Sequence, residues 1–176
     1  MSSYILGMKI GRAKAAYNLL INSVRTVVLG TVSYGGIPNV SYAPFVMDEA
    51  KNIYIFVSKL SIHTSNIQAN AKASVMLIED ETKSKQIFAR RRLTYSCNAT
   101  AVDRNSPEWE HIANQFDKRF GNIIYIFRNL PDFNIIKFTP LEGLFVIDFG
   151  AAYQIPGYDL NHLIKIVEED ENRTDS

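Results

Sequence analysis

Hydrophobic and polar positions follow two rhythms along this chain. Between Lys9 and Ser23 the apolar residues Ala13, Ala16, Tyr17, Leu20 and Ile21 recur at helical spacing, which predicts a helix with one buried stripe. From Arg25 the character changes. Thr26-Val27-Val28-Leu29 is rich in β-branched residues and runs into Tyr34-Gly35-Gly36-Ile37-Pro38, where Gly-Gly between two strand-like runs predicts a turn. Asn39 to Met47 is the expected return strand, Asp48 to Asn52 a polar turn, and Ile53 to Ser58 a third strand, so the first half opens as a meander. A short helix is expected over Ser61 to Ala71 and a buried strand over Ala73 to Ile78.

Past a charged loop, Glu79 to Lys85, the stretch Phe88 to Val102 reads as one long strand. Ala89, Leu93, Tyr95, Cys97, Ala99 and Ala101 share one face with Arg91, while Arg90, Arg92, Thr94, Ser96, Asn98 and Thr100 occupy the other. Arg91 therefore needs a partner, with Glu79, Asp80 and Glu81 the candidates, or a bulge that turns it outward. Ser106 and Pro107 supply a cap and a first-turn proline for a helix that runs to about Phe120 and stops at Gly121. Phe133 to Thr139 and Gly143 to Phe149 are read as two strands around a turn at Pro140, and Leu160 to Val167 as a final amphipathic helix. Six or seven strands in meander order with helices between them predict an α+β fold, a closed antiparallel barrel with helical decoration. One domain is expected over residues 1–167, with an acidic tail, 168–176, that should fray.

Composition acts mainly by exclusion. A net charge of +1, with 47% apolar and 21% charged residues in 176, is ordinary for a globular domain. It lacks the sustained basic field that nucleic acid or a membrane surface would need, so neither is an expected partner. The single cysteine, Cys97, allows no internal disulfide and no cysteine-based zinc site, which fits a reducing compartment. The first residues show no charged segment followed by a long apolar core, and no apolar run exceeds the five residues of Ile123 to Phe127, too short for a bilayer. A soluble, cytoplasmic protein is the expectation. The histidines His63, His111 and His162 show no metal-ligand spacing, and there is no P-loop, GxSxG or GxGxxG.

Candidate chemistry gathers at Ser58-Lys59-Leu60-Ser61-Ile62-His63-Thr64. A hydroxyl-rich turn there opens a helix whose first N–H groups are unpaired and carry partial positive charge. Ser58, Ser61, His63 and Thr64 could seat a phosphate or carboxylate, and Ser61 could equally be a simple helix cap.

Several longer runs are similar to a known family. Pro38-Asn39-Val40-Ser41-Tyr42-Ala43-Pro44-Phe45-Val46, then Met76 to Thr82 with Lys85 to Thr94, then Gly143 to Val146 with Phe149 to Gln154, resemble the heme-utilisation (HugZ/HutZ-type) branch of the pyridoxamine-phosphate-oxidase-like FMN-binding split barrels. The likeness runs in order over about residues 20 to 165. It implies a split antiparallel β-barrel with flanking helices, and a homodimer whose ligand clefts lie between subunits. In the broad superfamily the ligand is FMN. Its phosphate is held by a first-strand arginine, which Arg25 matches, and by a Ser-Arg-Lys turn, of which Ser61 is kept while Ile62 and His63 replace the arginine and lysine. Isoleucine cannot supply the paired, charge-assisted bonds of a guanidinium.

In the heme branch the cleft takes heme, which is opened oxidatively with release of iron, using electrons that a reductase could supply. Arg92 matches an arginine near the heme, and Asp132 an acidic residue that supports the proximal histidine across the dimer, making it the candidate catalytic group. The branch carries its iron-ligating histidine in the C-terminal tail. Here Val167 to Arg173 contains none, and His162 lies upstream. Another residue ligates, the heme is held differently, or the chemistry has been lost. The resemblance thus implies a heme-degrading enzyme, a non-enzymatic heme carrier, or an FMN-dependent oxidoreductase. The cofactor-binding candidates are Arg25, Ser58, Ser61, His63, Thr64 and Arg92, and the metal ligand is open.

Overall fold

A computed structural model describes residues 2–167, with side chains from Ile10 onward. Two tight turns organise its first half. Gly36 takes a φ of 80°, open to glycine at no steric cost, and its N–H bonds Ser33 O at 3.0 Å. At the second turn the Asp48 carboxylate accepts from the Asn52 N–H at 2.8 Å. These turns fold β1 (Thr26–Val32), β2 (Pro38–Met47) and β3 (Ile53–Ser58) into the expected antiparallel meander. β4 (Lys72–Ile78) adds to the free edge of β1, and β5 (Arg92–Ala101) to β4. β6 (Phe133–Asp148) then pairs along the whole of β5 and, through its first half, with β3, from Ser58↔Phe133 to Ile53↔Phe138. That second pairing closes six strands into a barrel, so the α+β split-barrel expectation stands. The other half of β6 leaves the barrel to pair with β7 (Ala151–Pro156), which carries the two-residue β8 (Ile164–Lys165).

Three sequence expectations need correction. The two strands around a Pro140 turn are one strand of 16 residues. Ser96 faces Glu142 while Cys97 faces Pro140, so Leu141 is left over as a bulge that absorbs the proline, which has no N–H for the ladder. Gly157 packs on that bulge: a Cβ there would stand 1.9 Å from Leu141 O. The amphipathic helix over Leu160 to Val167 does not form. Asp159 N–H bonds Pro156 O at 3.1 Å, His162 N–H bonds Asp159 O at 3.0 Å, and the Asp159 carboxylate takes the Asn161 N–H at 2.9 Å, so local turn bonds compete out the helix. The segment then continues the sheet edge, with Ile166 N–H on Ala152 O at 2.9 Å. Third, the Phe88 to Val102 strand begins only at Arg92, because Ile87–Ala89 is a 3-10 turn with Phe88 exposed. Arg91 meets its expected need through Glu79, 3.4 Å away. The tail, 168–176, lies outside the described residues.

Two cores result. Inside the barrel, Leu29, Phe45, Ile55, Leu77, Tyr95, Phe138 and Phe145 are buried. α1 (Ser2–Ser23) packs its predicted stripe, Ala13, Tyr17, Leu20 and Ile21, against them. The Tyr95 and Tyr17 hydroxyls bond each other, and Tyr17 donates onward to Leu160 O at 2.8 Å, tying the helix, the barrel and the segment after β7 together. Outside the barrel, α3 (Pro107–Phe120) and α4 (Ile123–Asn129) cover Val46, Tyr54 and Ile135 with Trp109, Ile112, Phe116 and Ile124. The Ser106 hydroxyl caps α3 by accepting from Trp109 N–H at 3.1 Å, as read from the sequence. Cys97 is buried in the barrel, which pushes its thiol up to about 12 and leaves it chemically quiet. Among the described residues no helix is long and apolar enough to cross a membrane.

The tightest packing gives a direct test. A Cβ on Gly143 would sit 2.7 Å from Tyr95 Cδ1, and the ring cannot yield because its hydroxyl is held by Tyr17. Gly143→Ala should cost about 1–3 kcal/mol by overpacking. Urea unfolding should show the midpoint drop with an unchanged slope; an unchanged midpoint would contradict this packing.

Candidate functional site

The β3–β6 pairing sets the site. Where β3 ends at Ser58, β6 begins at Phe133 directly opposite, so the residue before β6, Asp132, comes against Ser58. Lys59 N–H bonds Asp132 O at 3.0 Å. The Ser58 hydroxyl donates to Asp132 Oδ2 at 3.1 Å and accepts from Leu60 N–H at 3.2 Å. Thr64, buried in the first turn of α2 (Ile62–Ala69), donates from its hydroxyl to Ser58 O at 2.7 Å. Two residues further, the buried Asn66 amide donates to Thr31 Oγ1 at 3.0 Å. Burying these polar groups is tolerable only because each is bonded, and the bonds pin α2 to the barrel.

Ser61 takes the N-cap backbone conformation, but its hydroxyl makes no capping bond. Both of its sequence readings were open, and the geometry leaves the hydroxyl unengaged. His63, the next turn residue but one, is half-buried, with Nδ1 3.0 Å from Ser41 Oγ on β2. No hydrogen bond involves its Nε2 among the described residues. Burial pushes its pKa below the ordinary histidine value, because the charged ring loses water, so the imidazole is neutral near pH 7. Two large apolar side chains flank this turn in the open, Leu60 at 91% and Ile62 at 64% exposure.

The structure therefore gathers Ser58, Ser61, Thr64 and Asp132 around the start of α2, with His63 alongside. It does not bring Arg25 or Arg92 to them within one chain. Arg25 donates to Arg119 O at 2.8 Å, at the end of α3 where carbonyls are unpaired, and lies over the Phe120 ring. It lines a cleft of about 480 Å³ with Glu79, Lys83, Arg90 and Arg91. Arg92, at the start of β5, donates to Arg90 O at 3.1 Å.

Sequence reasoning missed Arg104. Its guanidinium donates to Leu130 O at 2.9 Å, to Phe133 O at 3.0 Å and to Arg128 O, bracketing the turn that holds Asp132, and lies over the Trp109 ring. A lone arginine before a helix cap gives no spacing signal, because its three acceptors are backbone carbonyls more than twenty residues away. α4 was also missed. Arg128 anchors it to α3 through Glu110, Asp117 and Asn114, which periodicity over seven residues cannot reveal.

Comparison with known proteins adds the following. A family model described as pyridoxamine 5'-phosphate oxidase matches residues 13–147. Heme oxygenase HutZ of Vibrio cholerae is 42% identical over 144 residues, 82% of this chain and 81% of that protein. A crystal structure of HutZ from Vibrio cholerae, described as a heme storage protein, superposes with a TM-score of 0.70 at 40% identity, over 74% of this chain and 91% of that one. Campylobacter jejuni ChuZ superposes with a TM-score of 0.76 at 31% identity, over 85% of this chain and 60% of that one.

Removing the bracket around Asp132 should be visible. Arg104→Ala leaves three carbonyls without their donor, at a cost of about 1–3 kcal/mol. Hydrogen exchange should show the Lys59 amide, which bonds Asp132 O, opening faster than the amides of β4. Equal protection in the variant and the parent would show that Arg104 does not hold the turn.

Proposed function

The chain belongs to the pyridoxamine 5'-phosphate oxidase family, in its HutZ-type heme-utilisation branch, and from that premise we propose that it binds heme between two copies of itself and opens the macrocycle oxidatively, releasing iron. The observation that carries the reading is the start of α2. Where an FMN phosphate would need an arginine and a lysine, this turn has the apolar side chain of Ile62 and the imidazole of His63. A dianionic phosphate gains little from such a turn. A flat apolar macrocycle gains contact with Leu60 and Ile62 and meets a neutral nitrogen donor, so the donor set fits heme.

The second copy is argued from β2. Its outward residues Val40 and Tyr42 are 73% and 69% exposed, an apolar row on a sheet face where solvent would select polar residues. A twofold partner covers that row. It also offers a reason for Arg25 and Arg92 to stand apart from α2 in one chain: from the second copy they would meet the acidic groups of the bound heme. Ser58, Ser61 and Thr64 shape the turn against which it lies. Asp132 Oδ1 has no hydrogen-bond partner among the described residues and is free to accept a proton donor at the cofactor's side. When bound, heme supplies an iron centre that reacts with dioxygen, using electrons from a reductase; the chain's part is to hold, orient and partly desolvate it.

Hemin and FMN titrations on one preparation test this. The expected result is a Soret shift saturating with hemin, no quenching of FMN fluorescence, and loss of the Soret band with iron release once a reductant is added in air. FMN quenching without a Soret shift would replace the proposal with a flavin enzyme, and a Soret band stable to the reductant would reduce it to a heme carrier. Light scattering should give a dimer mass, and Tyr42→Glu should shift it toward a monomer. A monomeric parent protein would remove the two-copy cleft.

A further inference from the structure

We propose that His63 is the protein ligand of the heme iron, with Ser41 fixing its ring. This rests on the heme-binding reading above and assigns the ligand that reading leaves open. The side chains that ligate heme iron from a protein are His, Cys, Met and Tyr. Residues 168–176 contain none of these four. Cys97 is sealed inside the barrel. Of the three histidines, His111 is exposed on α3 with its Nε2 2.9 Å from Gln115 Nε2, and His162 is exposed in the turn before β8. Only His63 is half-buried and held from one side alone.

That one-sided hold is what an iron ligand needs. Nδ1 lies 3.0 Å from Ser41 Oγ; in the tautomer that carries its proton on Nδ1, the ring donates to that oxygen and the lone pair lies on Nε2, which makes no hydrogen bond among the described residues. Ligating histidines are almost always oriented through their other nitrogen, and a serine hydroxyl here does what a carboxylate or carbonyl does elsewhere. The backbone beneath the ring is fixed as well. Thr64 to Ser58 and Asn66 to Thr31 tie the first two turns of α2 to the barrel, so the imidazole stands on a rigid element. Leu60 and Ile62 offer apolar contact to a macrocycle coordinated at Nε2.

The test uses the full chain and four variants, His63→Ala, Ser41→Ala, His111→Ala and His162→Ala, each loaded with hemin and read by absorption, electron paramagnetic resonance and resonance Raman spectroscopy. The parent should show a histidine-ligated iron with an iron–imidazole stretch in the ferrous state. His63→Ala should lose that stretch and bind hemin about tenfold more weakly or worse, and added imidazole should restore the histidine-type spectrum, which a misfolded protein could not do. Ser41→Ala should keep the ligand with a shifted stretch, while His111→Ala and His162→Ala should match the parent. An unchanged spectrum in His63→Ala, loss of the stretch in His111→Ala or His162→Ala instead, or a tyrosinate spectrum in the parent would overturn the assignment while leaving heme binding intact. A parent protein that takes up no hemin would overturn the functional reading itself, and this proposal with it.

Discussion

The pairing of β6 with two strands on its same edge is the constraint on which the rest of the molecule depends. Its first half closes the barrel against β3, and its second half departs with β7. A strand can change partners this way only if something bends it, and the Leu141 bulge beside Pro140 does so while β5 continues unbroken along the other edge. Closure gives each of the six barrel strands a partner on both sides over at least part of its length. It also fixes one meeting that no local signal could arrange, between the end of β3 at Ser58 and the turn at Asp132.

From that meeting the site follows by short steps. Ser58 is shared by three elements: its hydroxyl holds Asp132, its carbonyl receives Thr64, and its chain leads directly into α2. Arg104 holds the opposing turn from behind through three carbonyls. What remains unengaged at the surface is then informative. The Ser61 hydroxyl, His63 Nε2 and Asp132 Oδ1 are polar atoms without hydrogen-bond partners among the described residues, beside two exposed apolar side chains, Leu60 and Ile62.

Legibility in the sequence tracked how local the cause was. The stripe of α1, the Gly36 turn, the Asp48 turn and the Ser106 cap are each decided within a few residues, and each is found where the pattern puts it. Pro140 misled because a proline breaks a ladder or a strand with the same signature, and only the register opposite Cys97 tells a bulge from a turn. Leu160 to Val167 misled because apolar spacing was present while turn bonds around Asp159 were stronger locally. At the site, the hydroxyl cluster and His63 were legible as a group. The Ser58–Asp132 bond spans 74 residues and Arg104 acts through carbonyls, so neither leaves a trace in spacing. The placement of Arg25 and Arg92 away from α2 was not legible either, since a strand-end arginine reads the same whether it serves its own subunit or another.

The central claim is a location: a heme at the start of α2, joined to the chain through His63. Crystals grown with hemin and measured at the iron absorption edge test it most directly. The account predicts an anomalous peak within bonding distance of His63 Nε2, in a cleft between two copies of the chain. A peak at His111 or His162, or on a surface remote from Ser58 and Asp132, would contradict it.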